Sequence, residues 1–235
     1  MSGPVVLILG SGPDVTRAAR WPRAPFDHLV AINNAHAVRP DWDVHIFPED
    51  FEALRAAPLR AGQRLVRAAD YVPVQNAFGG FVFAGGTMAF TAGYWALGAL
   101  EPRVIAVIGC DMVYPSEGRT HFYGTGRPDP LREDISLRSL EAKSARLMVM
   151  AAERGCACVN LSRDASRLVW PRAEPDALDM VRPRPFDREG AEEARAREAT
   201  LGYVVPSGRY WEEADRFDPA ALDEIDALWL AAAGL

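Results

Sequence analysis

The chain has 235 residues, of which 49% are hydrophobic and 25% are charged, and its formal net charge is −6 at pH 7. This length and composition predict one principal domain with a sizeable core. The acidic balance argues against nucleic acid as a partner, because non-specific binding to its phosphates requires clustered positive charge. We also expect no integral membrane segment, since no apolar run is long enough to cross a bilayer.

The cysteines and the N-terminal residues indicate in which cellular compartment the protein is expected. Cys110, Cys156 and Cys158 form no pattern of paired C-x-x-C metal ligands, so core packing is favoured over metal binding. The N-terminal segment lacks the basic region that opens a signal peptide. We therefore expect reduced thiols in a cytoplasmic protein.

Short β-type runs alternate with longer helical runs along the chain. The predicted strands are residues 5–9, 28–32, 44–47, 64–66, 104–108 and 157–160. The predicted helices are residues 49–57, 87–100 and 136–154, the last with Asp134 or Ser136 as its cap, followed by 188–199 and 219–233. This alternation predicts an α/β fold with a mostly parallel sheet flanked by helices.

Two stretches interrupt the alternation. Residues 114–133 are rich in glycine, proline and charge and are too long for an ordinary connection, which predicts an active-site loop or lid. From residue 173 onward the sequence becomes proline-rich and charged before its two helices. We interpret residues 173–235 as a peripheral arm whose helices pack on the core or on a partner subunit, which allows a homo-oligomer.

Two small-residue turns follow or precede apolar elements. The turn 10–13 ends the first strand, and the turn 85–87 opens the helix 87–100. Glycine lets a backbone approach a ligand closely, and free amides at a helix start suit a phosphate or ribose. Neither turn is a full dinucleotide fingerprint or a Walker loop, so a plain tight turn, or a helix cap at Thr87, remains the alternative. We expect Gly10, Gly12, Gly85 and Gly86 to line one crevice.

Polar side chains stand at the ends of other predicted strands. Asn33 and Asn34 follow the strand 28–32, Asp111 follows 104–108 through Gly109, and Asn160 and Ser162 close the last strand. Ligands of open α/β sheets bind in the crevice beyond the carboxyl ends of the strands. Asp111 is suited to accept hydrogen bonds from ribose hydroxyls or to hold a metal. The asparagines suit turns by themselves, which is the alternative interpretation.

His121, in the long loop, is the candidate for proton transfer. His28 and His45 lie in predicted strands, where a structural role is expected, and His36 fits either role. Tyr123 follows His121 closely in sequence. The alternative is a loop histidine that only packs or forms hydrogen bonds.

The order of these motifs resembles a known arrangement. G-S-G-P-D, I-N-N, G-G-T before an alanine-rich helix, I-G-C-D and N-L-S follow one another as similar motifs do in the bacterial sialyltransferases of glycosyltransferase family 42. The resemblance spans residues 5–172. It departs at Ser11 and Phe47, where the family has asparagine, and at Gly85, where it has serine. The family's lid histidine has no match in residues 127–134.

The chain also resembles the wider Rossmann-like group called MptE-like or domain of unknown function 115, which includes archaeal 6-hydroxymethylpterin diphosphokinases. Ala35, Pro40, Asp41 and Asp50 match that group's pattern. Both resemblances imply a Rossmann-like nucleotide-binding domain over residues 1–172, with a cytidine-type nucleotide favoured. The residues expected to bind it are Gly10, Ser11, Gly12, Pro13, Asn33, Asn34, Gly85, Gly86, Thr87, Gly109, Tyr123, Asn160 and Ser162.

Three functions follow as expectations from the resemblance. The first is a sialyltransferase-like glycosyltransferase that uses a nucleotide sugar, with a CMP-activated donor favoured, and modifies a surface glycan or protein. His121 and Asp111 are then the catalytic residues, and neither a cofactor nor a metal site is required. The second is a diphosphokinase, for which Mg²⁺ is the expected cofactor. The third is a nucleotide-binding protein without catalysis.

Overall fold

The computed structural model describes residues 3–51, 58–114, 118–125 and 132–235. Its strands are β1 (Val5–Leu9), β2 (His28–Ile32), β3 (Val44–Ile46), β4 (Arg64–Val66), β5 (Val104–Ile108) and β6 (Ala157–Asn160). Five strands have the predicted bounds. β3 ends one residue early, at Ile46, just before the sequence Phe47-Pro48.

The strands form one sheet of order β4-β3-β2-β1-β5-β6, and every pair is parallel. The predicted α/β, Rossmann-like fold is therefore confirmed, and the sheet is wholly parallel. The chain builds one half of the sheet outward from β1 to β4 and then returns to place β5 on the other side of β1. This reversal is the topological switch point at which open α/β sheets bind ligands.

Both faces of the sheet are covered. Along β1, Val6 and Ile8 belong to one hydrophobic core, whereas Val5, Leu7 and Leu9 belong to a second core on the other face. Successive side chains of a strand point to opposite faces, so a fully apolar strand can supply two cores at once.

The helices are α1 (Ala68–Ala77), α2 (Phe81–Ala84), α3 (Met88–Leu100), α4 (Leu140–Glu153), α5 (Arg188–Leu201) and α6 (Pro219–Ala232). Thr87 caps α3, since its Oγ1 accepts a hydrogen bond from the amide of Phe90 at 3.4 Å. None of the helices in the described ranges has both the length and the apolar character needed to cross a bilayer.

The predicted start of α4 was wrong. Asp134 caps only a short 3-10 turn, Ile135–Leu137, and α4 begins at Leu140 after a second cap, at which Ser139 Oγ accepts from the amide of Ala142 at 3.1 Å. Of the two predicted caps, Asp134 caps the 3-10 turn, whereas Ser139, which caps α4, was not predicted.

Two further differences concern residues 49–84. The helix predicted over 49–57 falls mostly on residues 52–57, which lie outside the described residues, and 49–51 form a turn. Helices α1 and α2 were not predicted. Pro73 lies inside α1, where it removes a backbone donor and conceals the helical pattern.

The C-terminal helices pack on the core of their own chain. α6 contacts both α5 and α4. Trp229 on α6 is fully buried and belongs to the same hydrophobic core as the helices on that face of the sheet. Helix α4 is consequently buried on almost every side, including Lys143 and Arg146, which are both 1% exposed.

The three cysteines are unpaired and buried, and all belong to the core on the α4 side. Burial raises the pKa of the Cys110 and Cys158 thiols well above the ordinary value. Neutral, buried thiols act as small apolar side chains, as predicted for Cys156 and Cys158.

Candidate functional site

A cavity of about 540 Å³, which we call the crevice, opens at the switch point between β1 and β5. The turns after β1 and β2, the segment after β5, the start of α3 and the loop 119–123 all contribute to its walls. The predicted site residues in its lining are Gly10, Ser11, Gly12, Pro13, Asn33, Asn34, Thr87, Gly109, Asp111, His121 and Tyr123. The carboxyl ends of the central strands thus bring together residues that are distant in sequence.

The floor of the crevice is made of two backbone turns in direct contact. A Cβ atom on Gly10 would lie 2.3 Å from the carbonyl oxygen of Gly109, and the amide of Gly12 donates to that same oxygen at 2.7 Å. No side chain fits between the turns, so these glycines are required by the packing of β1 against β5. The amide of Gly12 is already used and is not free for a ligand, contrary to the expectation from the sequence.

The described part of the long loop, residues 118–125, is fastened to this floor. The amide of Phe122 donates to the carbonyl oxygen of Ser11 at 3.0 Å, and the Phe122 side chain packs against the second core. His121 and Gly124 close a small bridge through two backbone hydrogen bonds of 2.9 and 3.1 Å. Residues 118–125 are thereby held against the turn that follows β1.

The imidazole of His121 contacts two tyrosine rings in the crevice wall. The His121 ring stacks on Tyr123 with the centroids 5.0 Å apart and an angle of 22°, and the Tyr114 ring centroid is 5.9 Å away. Thr120 Oγ1 lies 2.9 Å from His121 Nδ1. These contacts fix the plane of the ring, as a proton-transfer group requires.

Asp111 follows the end of β5 and lines the crevice, and Asn160 and Arg172 contact its carboxylate. Its Oδ1 accepts a hydrogen bond from Asn160 Nδ2 at 2.9 Å and lies 3.8 Å from Nη1 of Arg172. The amide of Gly109 donates to Ser162 Oγ at 3.0 Å. Asn160 and Ser162 therefore hold the turn 109–111 and do not themselves line the cavity.

The second glycine turn faces away from the crevice. A Cβ atom on Gly86 would lie 2.2 Å from the hydroxyl oxygen of Tyr210, and the Gly86 amide donates to Ser136 Oγ at 2.9 Å. Burial and the nearby Asp134 carboxylate raise the pKa of Tyr210 to about 12, so its hydroxyl stays protonated and donates to Asp134 at 2.8 Å. Gly86 thus makes room for Tyr210 of the C-terminal arm, whereas a Cβ atom on Gly85 would lie 2.7 Å from the ring of Phe90. Only Thr87 of this motif reaches the cavity.

Several lining residues were not singled out as site residues from the sequence. Arg119 is the only arginine or lysine among the described lining residues, while Asp50, Asp111 and Asp164 supply three carboxylates. No signal in one sequence distinguishes Arg119 from the many other arginines. Across residues 3–51, 58–114, 118–125 and 132–235, no three His, Cys, Asp or Glu side chains lie close enough to hold a metal ion.

The turn after β2 contains two histidines that contact one carbonyl group. His36 Nδ1 and His45 Nε2 lie 2.8 and 2.7 Å from the carbonyl oxygen of Asn33. His45 is fully buried, and burial lowers its pKa to about 4, so its imidazole is neutral at physiological pH. The expectation that His45 is structural accounts for its burial but not for this contact with a crevice residue.

No protein-family model matches this chain, and no curated protein or solved structure matches it either. The functional assignment therefore depends on the residues that line the crevice. They combine a close-packed backbone floor, two asparagines, a supported carboxylate and an oriented histidine. This set is suited to bind a small polar ligand and to move a proton.

Proposed function

We propose that the crevice binds a nucleotide and that the protein transfers a sugar from a CMP-type donor to a hydroxyl group of a surface glycan or protein. The observation that carries this proposal is the meeting of Asp111 and His121 in one cavity at the switch point. Two groups suited to ligand binding and proton transfer are there combined with the turn 10–13, in the position at which α/β sheets bind nucleotides.

The charge of the crevice supports a donor with few phosphates. Arg119 is the single arginine or lysine among the described lining residues, and the same lining contains three carboxylates. A triphosphate would meet net repulsion from these side chains, whereas a CMP-activated sugar carries one phosphodiester charge, to which an acidic sugar adds only one carboxylate. The balance of charge thus favours the CMP-type donor.

In this reaction, His121 is the base that accepts the proton of the attacking hydroxyl group. As the acceptor hydroxyl oxygen attacks the anomeric carbon, the bond from that carbon to the phosphate oxygen breaks, and CMP leaves with the bonding electrons. The hydroxyl proton must pass to a base, and a neutral imidazole accepts it near physiological pH. Stacking on Tyr123 holds the ring in place for this step.

The second candidate is an Mg²⁺-dependent diphosphokinase, favoured by the three carboxylates in the lining, because Mg²⁺ prefers oxygen ligands. The described residues fit an Mg²⁺ site and a phosphoryl-transfer site poorly. The part of the chain that the structure describes holds no cluster of three metal-binding side chains, and the only lysine, Lys143, is buried against Asp226 at 2.6 Å. We derive no step through a metal.

A panel of nucleotides tests the proposal by thermal unfolding, with CMP, CDP, UDP, ADP and ATP each measured with and without Mg²⁺. A ligand at 100 times its Kd adds about 2.7 kcal/mol, which corresponds to roughly 5–10 °C for a chain of this size. We expect CMP to stabilise the protein without Mg²⁺. Arg119→Gln should reduce the shift, and Arg163→Gln, which changes an exposed arginine paired with Glu174, should not.

The outcomes separate the three functions. A shift with ATP that requires Mg²⁺ would support the diphosphokinase. A shift with CMP but no transfer from a CMP-activated sugar to any glycan or protein acceptor would support a nucleotide-binding protein without catalysis. The absence of a response to every nucleotide would overturn the proposal.

Asp111→Asn should weaken nucleotide binding more than it weakens folding. Asn160 can still donate to the new amide oxygen, but the ligand loses a charge-assisted contact of about 1.5–3 kcal/mol. Calorimetric titration and unfolding of the free protein measure the two effects. Asp164→Asn, which removes an exposed carboxylate from the same lining, is the control for charge alone. Lost stability with unchanged affinity would make Asp111 structural.

A further inference from the structure

Asn33 has an unusual backbone conformation at the edge of the crevice. It directly follows β2, lines the cavity, and has a φ of +49°. The left-handed region is uncommon for a residue with a side chain, although asparagine tolerates it better than most. Such a conformation persists where the surroundings enforce it.

Two imidazoles contact the carbonyl group of Asn33. Both His36 Nδ1 and His45 Nε2 are within hydrogen-bond distance of the Asn33 carbonyl oxygen, and an oxygen can only accept, so each of these nitrogens carries its proton. The two rings pack with their centroids 4.6 Å apart. The His45 ring also packs against Phe47 at 4.7 Å and Trp42 at 5.7 Å. The backbone of Asn33 is thus held from the sheet.

The side-chain oxygen of Asn33, in contrast, is left without a partner among the described residues. This Oδ1 atom is buried and accepts no hydrogen bond from them. A buried polar group without a partner costs about 1–3 kcal/mol, so a ligand that pairs with this amide gains affinity. In dinucleotide-binding sheets, an acidic residue about 20 positions after the glycine turn hydrogen-bonds the ribose 2′-hydroxyl, and Asn33 stands at a similar distance from the turn 10–13.

We propose that His36 and His45 are positioning residues that hold Asn33 in its left-handed conformation, so that its side-chain amide binds the ribose hydroxyls of the nucleotide. This inference rests on the proposed nucleotide binding and adds to it a preference for the ribose form of the nucleotide. The protein should discriminate between ribose and deoxyribose. Asn33 would contact the ligand, whereas the histidines would act only through Asn33.

Calorimetric titration with CMP and with 2′-deoxy-CMP tests the inference. The wild type should bind CMP about tenfold more tightly, the effect of one hydrogen bond of ordinary strength. Asn33→Ala should bind both nucleotides with equal affinity. His45→Phe suits the aromatic neighbours and should stay folded, but should reduce the preference to less than about threefold. His45→Gln should restore it, because Gln Nε2 can donate to the Asn33 carbonyl as the imidazole Nε2 does.

The outcomes distinguish this inference from the proposed function. Equal binding of the two nucleotides by the wild type, or an undiminished preference in His45→Phe, overturns the inference and leaves nucleotide binding intact. A His45→Phe protein with a lowered Tm and an unchanged preference shows a purely structural histidine. If no nucleotide binds, the proposed function and the ribose contact fail together.

Discussion

Replacing Glu198 by Gln should lower the free energy of unfolding by about 3–5 kcal/mol, the usual result of breaking a buried ion pair. Glu198 accepts hydrogen bonds of 2.7 Å from both Nε and Nη2 of Arg146 and one of 2.7 Å from Trp229 Nε1. Burial would lower the pKa of Arg146, but the Glu198 carboxylate and Tyr94 raise it above its usual value. Arg146 therefore stays charged, and the variant leaves that charge buried without its counter-ion.

Urea unfolding of the purified wild type and of Glu198→Gln measures this loss of stability. Glu224→Gln is the matched control, because Glu224 also pairs with an arginine, Arg197, at 2.9 Å but on the exposed surface. The control should lose less than about 1 kcal/mol. Combining Arg146→Met with Glu198→Leu should recover much of the loss, since both charges of this pair are then removed and neither is left unpaired. Equal small losses in Glu198→Gln and Glu224→Gln would contradict the role assigned to this pair.

Replacing His121 by Ala should reduce sugar transfer at least a hundredfold, while the nucleotide affinity changes by no more than a few-fold. The loss of a general base typically costs about 10²–10⁴ in rate. The loop should remain in place, because Phe122 and its hydrogen bond to Ser11 hold it independently of the imidazole.

The measurement is turnover with a CMP-activated sugar once an acceptor is found, together with a titration of CMP. His28→Ala is the control, since His28 begins β2 and so lies at the amino edge of the sheet, opposite the crevice. Retained turnover in His121→Ala would remove this histidine from the mechanism. Lost nucleotide binding together with lost turnover would assign it to the binding site instead.

The sheet was predictable because the strands are short and mostly apolar runs, and most of them have glycine, proline or a charged residue at one or both ends. The strand ends also locate the crevice, since the carboxyl ends of parallel strands lie on one edge. Asn33, Asp111 and the turn 10–13 were found in this way. Their separation along the chain did not matter, because the rule depends only on the direction of the strands.

The remaining features depend on contacts between distant segments. Lys143 and Arg146 would be placed in solvent by any rule of polarity, yet Asp226 and Glu198 on the C-terminal helices allow them to be buried. Gly86 has the local sequence of a ligand turn, but its space is filled by Tyr210. The contacts of the two histidines with Asn33 likewise require the pairing of β2 with β3. A single sequence carries no local signal for such contacts.

The pairing of Arg146 with Glu198 also sets an order of events during biosynthesis. The two residues are separated by 52 positions, so a ribosome that adds about 5–20 residues per second needs about 3–10 s to pass from one to the other. Throughout that interval the nascent α4 has its cation but no carboxylate to receive it. The native core can close only after α5 has emerged, and until then the emerging chain presents the apolar surfaces that chaperones bind.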